Sequence, residues 1–176
     1  MIKKYTGISF ALILLIGGCA TVPTQDIKVD AQADPKANFS GYKTYGWLAA
    51  AAIVNDAYGR WEPPQFDADA EIAFLIDREL RKRGMSQSSV APDMVVAFAA
   101  GIDMDALQLK VNPTTDMRMV ENVPRGGLVV ALIDSDSGFV IWVGRATAEI
   151  QEDPDTMTVK ARLDYAVSQM FKKLPK

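Results

Sequence analysis

Apolar positions recur along this chain with two periods, and the changes of period mark its elements. From Asp67 onward Ile72, Leu75, Ile76 and Leu80 fall on one stripe at helical spacing, with Asp77, Arg78, Arg81 and Lys82 on the opposite side. Asp67 is suited to cap this helix, Asp69 and Glu71 place negative charge in its first turn, and Gly84 follows a basic last turn. A second helix is expected near the end of the chain, capped by Asp155 or Thr156. Its stripe is Val159, Leu163, Ala166, Val167, Met170 and Phe171, and Lys172, Lys173, Leu174 and Pro175 close it.

Between and before the helices the period shortens. Lys43 to Leu48 alternates as a strand does, and the run from Asp93 to Ala100 has no charge after its aspartate, as expected of a strand covered on both faces. Ala106 to Val111 and Met117 to Val123 form a weaker pair. Gly127 to Ile133 and Phe139 to Ala148 form a stronger one, joined by Asp134-Ser135-Asp136-Ser137-Gly138. The order strand, helix, several strands, helix predicts an α+β fold: a mostly antiparallel sheet with two long helices packed on one face. The connection from Ala49 to Pro64 has no clear period, and its Tyr58-Gly59-Arg60-Trp61 patch is expected to offer an exposed partner-binding surface.

The amino end follows a different logic. Lys3 and Lys4, the apolar run from Ile8 to Ile16, and the small pair Gly17-Gly18 before Cys19 form the three parts of a signal peptide. The apolar run is well short of the ~20 residues that a membrane-spanning helix needs. Ile16-Gly17-Gly18-Cys19 resembles the bacterial lipobox, in which the cysteine sulfur receives a diacylglycerol before cleavage. Cys19 is the chain's only cysteine, so its acylation would leave the body without a thiol or a disulfide. Two or three acyl chains, at about 0.8 kcal/mol per buried methylene, hold a protein on a bilayer where one does not. Ala20 follows the cysteine in place of the aspartate that retains such proteins at the inner membrane, so outer-membrane sorting, facing the periplasm, is the expectation. The domain plan is thus a signal peptide over 1–18, a lipidated terminus and tether over 19–38, whose alternating Ile27-Lys28-Val29 suggests an edge strand, and one α+β domain over 39–176.

Loss of the signal peptide removes two lysines and no acid, moving the net charge from −3 to −5. An acidic body argues against nucleic acid, which needs clustered Lys and Arg. The chain has no histidine, which excludes a Ser-His-Asp or Cys-His nucleophile and a zinc site built from nitrogen and sulfur ligands. Carboxylates remain, with Asp134 and Asp136 closest together. As a calcium loop this segment fails, because Phe139 and Arg145 stand where a glycine and an acid are required, and a backbone-bonding turn is expected instead. Trp47 and Trp142, on strands, are expected in the core. No cofactor or metal is expected.

Four pieces, the lipobox at Cys19, Phe39-Ser40-Gly41-Tyr42-Lys43-Thr44-Tyr45-Gly46-Trp47-Leu48, Ala91-Pro92-Asp93-Met94-Val95-Val96, and the hairpin from Gly127 through Ala146, together resemble bacterial lipoproteins grouped as domain of unknown function 4136. Val143 departs from the basic residue common after the hairpin tryptophan. The resemblance implies an envelope lipoprotein of α+β type without an assigned enzyme activity. The expected role is a non-enzymatic binding or envelope-assembly module, meeting the membrane through its lipid and an envelope protein or glycan through its body. The alternatives are a carrier of a lipid or other apolar ligand and a carboxylate-only enzyme such as a glycan hydrolase.

Overall fold

A computed structural model describes residues 22–48, 66–101, 106–111, 118–123, 126–149 and 155–176. Its elements are β1 (Lys28–Ala33), β2 (Thr44–Trp47), α1 (Ala68–Lys82), β3 (Ser86–Gln87), β4 (Met94–Gly101), β5 (Ala106–Val111), β6 (Arg118–Val123), β7 (Gly127–Asp134), β8 (Val140–Thr147) and α2 (Thr156–Lys172). Six strands form one mixed, mostly antiparallel sheet in the order β1-β8-β7-β4-β2-β3, and β5 and β6 form a separate antiparallel ribbon that rests against β8. Among the described residues no helix is long and apolar enough to cross a membrane.

Local chemistry sets both helix starts. The Asp67 carboxylate accepts from Ala70 N–H at 2.9 Å, and Asp155 accepts from Thr158 N–H at 2.9 Å, each satisfying an amide that the first turn leaves open. Gly84, with φ of 80°, lies just past the end of α1, one residue beyond the capping Arg83. The helices run parallel and side by side, since Glu71 pairs with Lys160, Arg78 with Asp164, and Arg83 with the carbonyls that end α2. Ile72, Leu75, Ile76 and Leu80 of α1 and Ala166, Val167, Met170 and Phe171 of α2 join Met94, Val96, Leu128, Val130, Leu132 and Trp142 in one apolar cluster. Each large side chain so buried contributes about 1.5–3 kcal/mol. Val129 and Val143 belong to a second, smaller cluster with Ala99, Ala131 and Val140.

The sheet departs from the expected pattern around β2. β2 pairs in parallel with both β3 and β4, so the short piece Ser86–Gln87 is an edge strand that hydrophobic period could not mark. The link from β3 to β4 must therefore pass across β2 in only a few residues, and it does so over Gly46. A Cβ there would lie 2.9 Å from Pro92 Cγ and 3.3 Å from the Ser88 carbonyl. Ala91, in this crossing, takes a positive φ of 42°. The edge strand suggested by the alternating Ile27-Lys28-Val29 is β1, which runs beyond that piece and pairs antiparallel with β8 along its whole length, Lys28 opposite Thr147 and Ala33 opposite Trp142. Val29, Ala31 and Ala33 turn to the core while Lys28, Asp30 and Gln32 are exposed, which is the alternation of an edge strand. β4 is likewise covered less evenly than expected: Met94, Val96 and Phe98 are buried, and Val95, Ala97 and Ala99 only half so.

Trp142 is fully buried, as expected of a core tryptophan. Its ring lies 5.3 Å from that of Phe171 and across the position that a Gly144 Cβ would take. Its indole N–H finds no acceptor among the described residues, which costs about 1–3 kcal/mol. Gly144→Ala is expected to destabilise the fold by roughly 3 kcal/mol, because a fully buried ring has no room to retreat, and Gly46→Ala by roughly 2 kcal/mol through Pro92. Urea unfolding of the two variants checks both; midpoints within error of the parent chain would show that neither contact is tight.

Candidate functional site

Ile16, Gly17, Gly18 and Cys19, and Tyr58 and Trp61, lie outside the described residues. Of the candidate carboxylates, Asp134 ends β7 and Asp136 is exposed on the turn that follows it. Asp93 and Asp134 come to the same end of the sheet, since Met94 is the register partner of Asp134. Each is occupied in holding backbone. Asp93 Oδ2 accepts from the Lys43 and Thr44 amides, both at 2.8 Å, and these bonds hold the carboxyl below the usual range. Asp134 Oδ1 accepts from the Ser137 hydroxyl and amide at 2.5 and 2.7 Å, while Oδ2 accepts from Tyr42 Oη at 2.9 Å. Its carboxyl too lies below the usual range, through Ser137 first. The turn between β7 and β8 is the backbone-bonding turn that Asp and Ser suggest, closed by Gly138 with φ of 70°. Among the described residues no group of three or more acidic or sulfur side chains is placed to hold a metal.

The structure brings together two other groups. The first joins the N-terminal segment to α2. Arg162, on the helix turn beside Leu163 and Ala166, is 9% exposed and is the only charged side chain among the described residues so deeply buried. Its guanidinium donates to both oxygens of Asp26, at 2.9 and 2.5 Å, and to the Pro23 carbonyl. Asp26 Oδ2 also accepts from the Glu149 amide at 3.0 Å, so the same carboxylate fixes the chain leaving β8. A planar guanidinium with two parallel bonds to a carboxylate is the geometry that makes a buried pair tolerable. The Asp26 carboxyl falls to about 2, chiefly through the Arg162 bonds and despite the opposing effect of burial. Sequence gave one signal for it: Arg162 sits within the apolar stripe of α2 rather than opposite it.

The second group is an open dish of about 220 Å³ where α1 meets the β2–β3 edge, lined by Trp47, Ala73, Phe74, Asp77, Arg81 and Gln87. Trp47, expected in the core, is half-buried: its ring stands edge-on to Tyr45 and Phe98, with centroids 6.4 and 6.0 Å away. Phe74 is 61% exposed and Leu48, next to Trp47, is 50% exposed. The polar rim is held in place. Tyr45 Oη, carried by a fully buried residue, donates to Asp77, and Arg81 Nε lies 2.6 Å from the other Asp77 oxygen. Burial, and then the Asp77 bond, push the Tyr45 hydroxyl up to about 12. Phe74 stands off the apolar stripe of α1, and an apolar side chain on a water-facing side is the signal that could have marked this surface.

The mixed six-stranded sheet and two parallel helices define a protein of the α+β class. Residues 29–176 match the family model Domain of unknown function (DUF4136), and the chain belongs to that family. The crystal structure of a DUF4136 family protein from Bacteroides thetaiotaomicron is similar, with a TM-score of 0.59 at 13% identity over 84% of this chain and 95% of that one. This likeness is one of fold. A PDZ domain protein from Parabacteroides distasonis gives a TM-score of 0.47 at 18% identity, over 86% of this chain and 36% of that one. PelC from Paraburkholderia phytofirmans, crystallised as a dodecamer, gives 0.47 at 15% identity, over 82% and 94%. A comparison with curated proteins finds no match.

The Arg162 clamp has a pH signature. A carboxyl lowered from 3.8 to about 2 in the folded chain contributes stability that is fully present above pH ~4 and is lost as pH falls toward 2. Carbon-detected titration should give an Asp26 midpoint near 2 in the parent chain and a return toward the ordinary value in Arg162→Met. An unchanged midpoint in the variant would mean that Arg162 is not the cause.

Proposed function

We propose that this protein is a lipid-anchored envelope module, carried by Cys19 on the periplasmic side of the outer membrane, that binds a partner and performs no catalysis. In this reading residues 1–18 are removed as a signal peptide, guided by Ile16, Gly17 and Gly18, and both helices cover one face of the sheet. The partner is an envelope protein or glycan, and nucleic acid is not one.

The observation that carries the binding reading is the dish beside α1. It sets exposed Phe74 and half-buried Trp47 next to a pre-arranged Tyr45-Asp77-Arg81 network. Rigid aromatic surface beside fixed polar groups is the composition of a binding hot spot. The dish is open and too small for the enclosed pocket of about 300–1,000 Å³ in which a carrier would bury an apolar ligand. A carboxylate-only hydrolase is also poorly supported, because Asp93 and Asp134 are held ionised by structural hydrogen bonds and neither keeps a proton to donate. Tyr58 and Trp61 remain a second proposed contact surface.

Two measurements test this. Radioactive palmitate should label the native chain and fail to label Cys19→Ala; labelling that persists removes the anchor. Capture of an envelope partner by the purified body should fall at least about tenfold in Phe74→Ala, the loss of one well-packed aromatic anchor, with the unfolding midpoint unchanged. Capture that survives the substitution removes the dish as the binding surface.

A further inference from the structure

The clamp at Arg162 bears on how the body stands on a membrane, and this argument rests on the proposed lipid at Cys19. A tether over residues 19–38 would let the body roam, yet the chain is already fixed at Pro23, whose carbonyl accepts from Arg162. Asp26 follows with two bonds to the same guanidinium, and then β1 enters the sheet. Four residue steps separate Cys19 from Pro23, so the lipid-bearing residue stands no more than about 14 Å from the clamp even with the chain fully extended.

The clamp is near the end of the molecule where both helices begin. Asp26 also holds the Glu149 amide, and Lys160, two residues before Arg162, pairs with Glu71 in the first turn of α1. On the first turn of α2, about 7.5 Å along the axis from Arg162, stands Met157, a flexible apolar side chain 81% exposed. The opposite end carries the basic close of both helices, Arg83, Lys172, Lys173 and Lys176, with Lys172 about 22 Å from Met157 along α2.

We propose that the end where α2 begins is a bilayer-apposed face: the Arg162 clamp ties the chain four residues after Cys19 and holds Met157 against the lipid headgroups. The basic end then faces away from the membrane. Attachment is covalent and apolar in origin, because the apposed end carries Asp67, Asp69, Glu71 and Asp155 against Lys28 and Lys160 and gains nothing from an anionic surface.

The lipidated full chain provides the test, since acylation of Cys19 leaves any added cysteine as the single thiol. A donor dye is placed at Met157→Cys or at Lys172→Cys, and the protein is bound to phosphatidylcholine vesicles carrying an acceptor dye on their headgroups. Energy transfer should be roughly twofold higher from position 157 than from 172, given their ~22 Å separation. A flexible Gly-Ser insertion of about eight residues between Thr21 and Val22, which leaves the clamp intact, should lower transfer from 157 toward the value at 172. Equal transfer from the two positions in the vesicle-bound parent chain, or transfer from 157 indifferent to the insertion, overturns the proposal while leaving the anchor standing. A chain that carries no lipid and does not float with the vesicles defeats the anchor and this orientation together.

Discussion

A guanidinium taken out of water must be answered by a carboxylate, and in this fold that requirement joins three distant parts of the chain. Arg162 lies in the buried side of α2, and the desolvation of its charge is offset only when Asp26 and the Pro23 carbonyl come to meet it. The same carboxylate catches the Glu149 amide, so the entry to β1 and the exit from β8 are fixed at one point. A segment whose composition reads as linker thereby becomes part of the folded body. The short polar strand β1 gains a second tie through Arg145 and Asp30, 2.6 Å apart on the adjacent strand.

The parallel setting of the helices concentrates charge in a way that antiparallel neighbours would not. Both N-termini, with their acidic caps, share one end, and both basic C-termini share the other. Arg83 meets the resulting crowd of open carbonyls by donating to Phe171, Leu174 and Pro175 at the close of α2. Along the seam Arg78 spans the pair by bonding Asp164, Glu79 and Ser168, and the two carboxylates raise its already high pKa, Asp164 first. The seam fixes the rotation of α1 about its own axis, and that rotation presents Phe74 beside Trp47.

Much of the fold was legible because it rests on local rules. The stripes of α1 and α2, their Asp caps, the β7–β8 hairpin and its turn depend on period and on hydrogen bonds within a few residues. The site was legible only in part. Phe74 is visible as an apolar residue off its stripe, but that it faces Trp47 depends on where β2 sits in the sheet. Gly46 and Gly144 show the same division: nothing local marks them as obligatory, since the space they leave is filled by Pro92 and by Trp142.

The sequence by itself determined the helices, most of the strands, the α+β class and the exclusion of histidine and dithiol chemistry, because each follows from residue type and short-range spacing. Tertiary structure alone decided that β3 lies at an edge, that β2 pairs in parallel on both sides, that Lys28–Ala33 pairs with β8, and that Arg162 closes on Asp26. Those outcomes turn on partners more than a hundred residues apart in the case of β1 and the clamp, and a pairing of that range is settled by which groups the packed core leaves without water.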